Sequence, residues 1–188
     1  MEKIIRRLFR FRWNVSILAE LSESEGSKFI TLVVRLGISR GVLSSTLEQL
    51  LSDGLVSANP GYGHPLRPEY ILTESGKIAA AFCRELLRSV GDRGENYLLQ
   101  SKWALPVLFA IGGDELRFGE LKNRLAPVTS RALSEELKKL MEMGVIDRKI
   151  LGEFPPVAIY ASNPRGRHYV WIYERHGKAL RSLPDGRQ

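Results

Sequence analysis

Two stretches of this chain place hydrogen-bonding side chains at the spacing of one helical face. In the first, Ser39 and Arg40 are followed by Ser44, Ser45, Glu48 and Gln49; in the second, Thr129, Ser130 and Arg131 are followed by Ser134, Glu135 and Lys138. Both sets alternate with an apolar stripe, Leu43, Leu47, Leu50 and Leu51 in one and Leu133, Leu137, Leu140 and Met141 in the other, so burying the stripe turns the polar set outward. An arginine offers two parallel N–H groups that fit the edge of guanine, and a glutamine offers a donor and an acceptor that fit adenine. A helix N-terminus opening on Ser or Thr offers free backbone N–H groups to a phosphate. The chemistry is that of reading a nucleic-acid duplex, with Ser39, Arg40, Ser44, Ser45, Gln49, Thr129, Ser130, Arg131, Ser134 and Lys138 as candidate contacts. A solvated helix face has the same composition, and charge does not separate the two: Ser39 to Asp53 carries one base and two acids, Thr129 to Met143 three of each. Phosphate contacts must then come largely from elsewhere. Arg67, Arg148 and Lys149 are the candidates in hairpins, with Lys28, Arg35, Lys122 and Arg124 nearby in sequence and Arg165, Arg167 and His168 as weaker ones.

The elements that hold these faces come in two copies. Sliding the sequence on itself by about 90 residues lays Arg12-Trp13 on Lys102-Trp103 and Leu18 on Leu108. With one residue of slack, Phe29, Leu32 and Leu36 fall on Phe118, Leu121 and Leu125. Then Leu43, Ser44, Leu47, Leu50 and Gly54 fall on Leu133, Ser134, Leu137, Leu140 and Gly144, and Pro65, Tyr70 and Gly76 on Pro155, Tyr160 and Gly166. Each copy reads helix, helix, helix, hairpin, helix. The first helix carries Trp13, Ile17, Leu18 and Leu21, or Trp103, Val107, Leu108 and Ile111, with Pro106 predicting a new helix start or a kink. The second runs from Phe29 to Leu36 and from Phe118 to Leu125. The third opens on Ser39 or Thr129 as N-cap and ends at Asp53-Gly54 or Met143-Gly144, where glycine suits a left-handed C-terminal position. Segments at Leu55-Val56-Ser57 and Glu69 to Leu72, and at Val145-Ile146-Asp147 and Val157 to Ala161, form hairpins around Gly/Pro-rich tips. The expected fold is mainly α with small β-hairpin wings (α+β): two tandem winged helix-turn-helix domains, residues 1–90 and 97–188, with 91–96 as a polar joint.

The formal net charge of +7 favours an anionic partner, and it leans toward the second copy: +2 up to Asp92 (12 basic minus 10 acidic) and +5 beyond it (16 minus 11). The single cysteine, Cys83, sits in an apolar helical pattern and reads as a buried, inert thiol rather than a sensor. His64, His168 and His176 have no partner at metal-ligand spacing, and no nucleophile–base pair or phosphate-cradling glycine loop is present. The reading is of a protein that is not an enzyme, with no metal and no cofactor. No run of apolar residues approaches the roughly 18 of a membrane span, so the chain reads as cytoplasmic with no membrane partner. The N-terminal run Ile4, Ile5, Leu8 and Phe11, set among Lys3, Arg6, Arg7, Arg10 and Arg12, is a short basic amphipathic helix. It suits DNA or a membrane surface, or packing on a neighbouring domain with its arginines in water. Tyr169, Trp171, Ile172, Tyr173 and Leu180 suggest a last helix whose aromatics form interface core.

The second copy resembles the HxlR family of transcriptional regulators. The likeness runs from Lys102-Trp103 through Leu116-Arg117-Phe118-Gly119-Glu120-Leu121, Ser130-Arg131-Ala132-Leu133-Ser134, Leu137-Lys138-Lys139-Leu140, Gly144-Val145-Ile146-Asp147-Arg148 and Pro155-Pro156-Val157 to Tyr160. The first copy is more diverged and is also similar to general MarR-like or PadR-like winged helices. Its Tyr70-Ile71-Leu72-Thr73-Glu74-Ser75-Gly76 looks like the family's Leu-Thr-x-x-Gly segment after the wing, from which the second copy departs with Ser162-Asn163-Pro164-Arg165-Gly166. The resemblance implies a dimeric regulator that binds double-stranded DNA, third helix in the major groove and wing near the backbone. Family members usually carry one winged helix, so this chain is either a homodimer of doubled subunits or a monomer acting as a pseudo-dimer. Several members sense oxidants through a cysteine near the N-terminus. None stands near Trp13 or Trp103, so redox sensing does not carry over, and no small-molecule effector is legible. The alternative function is a tandem winged-helix protein-interaction module within a larger complex, which an exposed apolar patch would favour.

Overall fold

A computed structural model of the chain describes residues 3–59, 69–152 and 154–184. The first domain runs α1 (Lys3–Leu8), α2 (Asn14–Glu23), β1 (Ser27–Lys28), α3 (Phe29–Leu36), α4 (Arg40–Ser52), β2 (Val56–Asn59), β3 (Glu69–Leu72) and α5 (Glu74–Arg93). The second repeats it as α6 (Tyr97–Gln100), α7 (Ala104–Ile111), β4 (Glu115–Arg117), α8 (Phe118–Arg124), α9 (Ser130–Glu142), β5 (Ile146–Leu151), β6 (Val157–Ser162) and α10 (Pro164–Arg181). Each wing hairpin gains a third antiparallel strand, in the orders β1-β3-β2 and β4-β6-β5. Ser27 pairs with Tyr70 and Leu116 with Tyr160, which ties the start of each helix-turn-helix to its wing. These two short strands were not expected from the sequence, because runs this short carry no alternation of their own.

Local signals explain most boundaries. The side chains of Ser39 and Thr129 accept the N–H groups of Val42 and Ala132 at 3.3 and 3.2 Å, so both act as N-caps. Gly54 and Gly144 take φ of 67° and 63°, the left-handed turn that releases the chain into the wing. Pro106 occupies the third position of α7, where its missing N–H has no intrahelical acceptor to lose; the new helix start is the outcome. After the wing the two domains use different residues for one task. Thr73 Oγ1 donates to the Gly54 carbonyl at 2.6 Å and accepts from Gly76 N–H at 3.0 Å. Asn163 Nδ2 donates to the Gly144 carbonyl at 2.8 Å while its Oδ1 accepts from Gly166 N–H at 3.1 Å. The glycines are needed because the last helix crosses the strand entry closely. A Cβ would lie 1.9 Å from the Leu55 carbonyl oxygen at Gly76, and 2.0 Å from the Val145 carbonyl oxygen at Gly166.

One continuous apolar core spans both domains. At its centre, Phe109 of α7 stacks on Tyr173 of α10 at 4.5 Å and meets the edges of Phe9 and of Phe82 in α5. Around it, α5 and α10 are laced by polar contacts: Glu85 to Arg175 and His176 at 3.1 and 2.7 Å, and Ser89 to His168 at 2.6 Å. The polar joint expected at 91–96 is not a free link. Gly91, Asp92 and Arg93 complete α5, Gly94 caps it at φ 67°, and Glu95 is buried against Tyr169 and Arg165 of α10. Burial, together with that contact, pushes the Tyr169 phenol pKa up. Helix α1 packs into the core through Ile4, Ile5 and Leu8. Its Arg7, expected in water, turns inward to pair with Asp53 at 3.1 Å at the C-terminal end of α4. Trp171, expected in the interface, is half exposed with Arg175 over its ring. Cys83 is fully buried, and burial pushes its thiol pKa far up, as an inert core cysteine requires.

Candidate nucleic-acid interface

Each third helix is held by its leucines. Leu43, Leu47 and Leu50 of α4 and Leu133, Leu137 and Leu140 of α9 are buried, which leaves the opposite face to solvent. On α9 that face presents Ser130, Arg131, Ser134 and Lys138, all exposed, with Thr129 at the N-cap. On α4 it presents Arg40 and Ser45, exposed, with Ser44 and Gln49 half-buried at its margin and Ser39 at the N-cap. Strand β5, which packs against α9, carries exposed Arg148 and Lys149 on its two opposite sides. Five of the candidate residues, Thr129, Ser130, Arg131, Ser134 and Lys138, thus lie on or at the start of α9, and two more, Arg148 and Lys149, on the strand packed against it. Arg67 and His64 lie outside the described residues.

Several of these groups are engaged within the chain. Arg131 pairs with Glu135 at 2.8 Å and Lys149 with Glu115 at 2.7 Å, and each acid pushes its partner's pKa up. Such fully exposed pairs are screened by solvent and add little to stability, so a phosphate or a base edge can displace the acid. Ser44 donates to Glu48 at 3.1 Å and Ser45 to the Val42 carbonyl at 3.1 Å, whereas the side chains of Ser134, Lys138 and Arg148 make no hydrogen bond or ion pair with the described residues. Among the more distant candidates, Arg35 pairs with Glu20 and Arg124 with Asp114. Arg165, Arg167 and His168 are also engaged within the chain: Arg165 binds Glu95 and the Met143 carbonyl, Arg167 the Ser162 carbonyl, and His168 meets Ser89. Partial burial and the nearby Arg93 push the His168 pKa down, favouring its neutral form.

The sequence reading overlooked the apolar part of the first face. Ile30, Val34 and Val42 are 50, 73 and 40% exposed on α3 and α4. In the repeat they correspond to Gly119, Asn123 and Ala132, so aligning the two helix-turn-helix units position by position would have shown it. On the second wing, Ile150 and Phe154 are exposed as well. Among the described residues no group of three or more Asp, Glu, His or Cys side chains is placed to hold a metal, and no single helix is long and apolar enough to cross a membrane.

The model of the HxlR-like helix-turn-helix family matches residues 8–97 and again 98–175. An uncharacterized HTH-type transcriptional regulator of Methanothermobacter thermautotrophicus is 32% identical over 73 residues, 39% of this chain and 56% of that protein. The HTH-type regulator YdzF of Bacillus subtilis is 34% identical over 71 residues, 37% of this chain and 65% of that protein. These matches thus span less than two thirds of either relative. Among solved structures, a MarR-family transcriptional regulator from Porphyromonas gingivalis is 30% identical with a TM-score of 0.44, covering 49% of this chain and 91% of its own.

Proposed function

The chain belongs to the HxlR-like helix-turn-helix family, a family of transcriptional regulators and not of enzymes, and from that premise we propose that it binds double-stranded DNA sequence-specifically, with α4 and α9 entering the major groove. The observation that carries this reading is the face of α9. Ser130, Arg131, Ser134 and Lys138 lie exposed together on it, and Arg148 and Lys149 stand on the strand packed beside it. Arg131 suits guanine, the hydroxyls and the N-terminal N–H groups suit phosphate, and the wing cations suit the backbone. Residues 1–90 and 97–188 are the two reading units, joined through 91–96, where α5 ends at Arg93 and Gly94 caps it. Because α5 of one packs on α10 of the other, a single molecule acts as a pseudo-dimer. Since α4 and α9 differ, its operator has two unlike halves.

The test is a titration against random-sequence duplex at two salt concentrations, beside a variant carrying Arg40→Ala and Arg131→Ala. Each phosphate neutralised contributes a log–log salt slope of about 0.9, so binding falls steeply with salt and weakens in the variant. Salt-independent binding, or none at low salt, counts against the reading. Sedimentation at rising concentration should show one chain's mass throughout.

A second reading applies to the first domain. The patch of Ile30, Val34 and Val42 suits a protein surface better than a phosphate backbone, so α3 and α4 grip a protein partner while α9 holds the DNA. A first domain that crosslinks to bases under ultraviolet light as strongly as the second would exclude it.

A further inference from the structure

A cleft of about 370 Å³ lies where the first domain's N-terminal segment meets the second domain, lined by Arg6, Arg10, Lys102, Trp103, Pro106 and Pro127. Three cations converge there with no acidic side chain in the lining, beside an aromatic ring and two prolines. Arg6 and Arg10 are exposed and form no ion pair with a described residue, and Lys102 Nζ stands 5.3 Å from the centre of the Trp103 ring, so cation and aromatic wall are contiguous. The repeat supplies an internal control. Its counterpart at the other crossing has Arg12, Trp13, Ser16, Asn96 and Gln100 in place of Lys102, Trp103, Pro106, Arg6 and Arg10, and a volume of about 150 Å³. The tryptophan recurs; two of the three cations and more than half of the space do not. A structural tryptophan explains what the clefts share and leaves the added charge unexplained.

We propose that this cleft is a binding site for a small aromatic phosphomonoester, of the mononucleotide class. A monocarboxylate would leave two of the three cations uncompensated, whereas a phosphomonoester dianion offers three terminal oxygens, one for each of Arg6, Arg10 and Lys102, in the geometry guanidinium groups favour. The flat base lies against Trp103 and the proline walls, where an aromatic face gains both dispersion and desolvation. Pro127 stands two residues before the N-cap of α9, so an occupant braces α1 against the turn that aims the reading helix. This regulatory consequence rests on the DNA reading above; occupancy itself does not.

The experiment is isothermal titration calorimetry of the full chain with adenosine monophosphate, adenosine, inorganic phosphate and benzoate as probes, without DNA. Adenosine monophosphate binds more tightly than either of its halves and more tightly than benzoate. Arg6→Gln with Arg10→Gln weakens it by about tenfold or more with an unchanged melting temperature, while Arg12→Gln in the counterpart cleft leaves it within about twofold. Absence of heat with the nucleotide, equal affinity for adenosine or benzoate, or an equal loss in Arg12→Gln overturns the site. If the nucleotide binds but a separate duplex titration in its presence shows unaltered affinity, the site stands and its coupling to α9 falls.

Discussion

The two helix-turn-helix units are built on one frame and finished differently. Both bury the same leucine stripe, both cap the third helix through a hydroxyl, and both pass a glycine helix over the entry to the wing. Outside that frame they part. Where the first shows Ile30, Val34 and Val42, the second has Gly119, Asn123 and Ala132; where β2 carries no cation, β5 carries Arg148 and Lys149. The inside differs too. Thr46 is buried and satisfied by the Val42 carbonyl at 2.7 Å. Its counterpart Glu136 receives Ser101 at 2.6 Å on one oxygen and leaves the other buried without a partner. The frame is thus fixed by packing in both copies, and the faces are free to specialise, with the second better suited to a polyanion.

The largest effect tests the frame. Gly76→Ala and Gly166→Ala each drive a methyl group into a carbonyl oxygen, so either should lower unfolding stability by about 3 kcal/mol or more in chemical denaturation. If one domain tolerated the change, the equivalence of the two frames would be lost. Next comes the asymmetry of the faces: Arg131→Ala with Lys138→Ala should weaken duplex binding about tenfold or more, since one bidentate base contact is worth about 1–3 kcal/mol. Arg40→Ala with Gln49→Ala should cost at most about threefold. Equal losses, read by fluorescence anisotropy, would make the two faces equivalent readers. The comparison sharpens if the first face is made like the second. Val34→Lys should change stability by no more than about 0.5 kcal/mol and, if α3 approaches the backbone, steepen the salt slope by up to about 0.9.

The smallest effect concerns Glu136. Burial pushes its carboxyl pKa above the usual range, so the folded chain holds the proton more tightly than the unfolded one. Its contribution is therefore most favourable in acid and declines as pH rises through the normal glutamate range and on to the raised value. Glu136→Gln keeps an acceptor for Ser101 and removes the charge. It should raise the melting temperature slightly at neutral pH and lose that advantage as pH falls below the carboxylate range.

What the sequence made legible was local or repeated. Ser39, Thr129, Gly54 and Gly144 act within a few residues of themselves, and the register of about 90 residues exposed the duplication directly. What escaped depends on contacts distant in sequence. Strands β1 and β4 exist only because β3 and β6 lie beside them. Glu95 looked like part of a solvated joint until Tyr169 and Arg165, over 69 residues away, closed on it. Arg7 and His168 carried charge patterns suited to anions, yet α4 and α5 claimed them. The departure at Asn163 from the first copy's Thr73 hid a preserved function, because an amide can accept and donate as a hydroxyl does.

The shared aromatic centre of Phe9, Phe82, Phe109 and Tyr173 has an evolutionary consequence. In a symmetric homodimer every substitution is written twice, so neither surface can drift without the other. Here the partners are tethered, their association does not weaken on dilution, and each gene change alters one surface alone. A lineage in this state can change one half without changing the other, and in this chain the two faces do differ, with Ile30, Val34 and Val42 set against Gly119, Asn123 and Ala132.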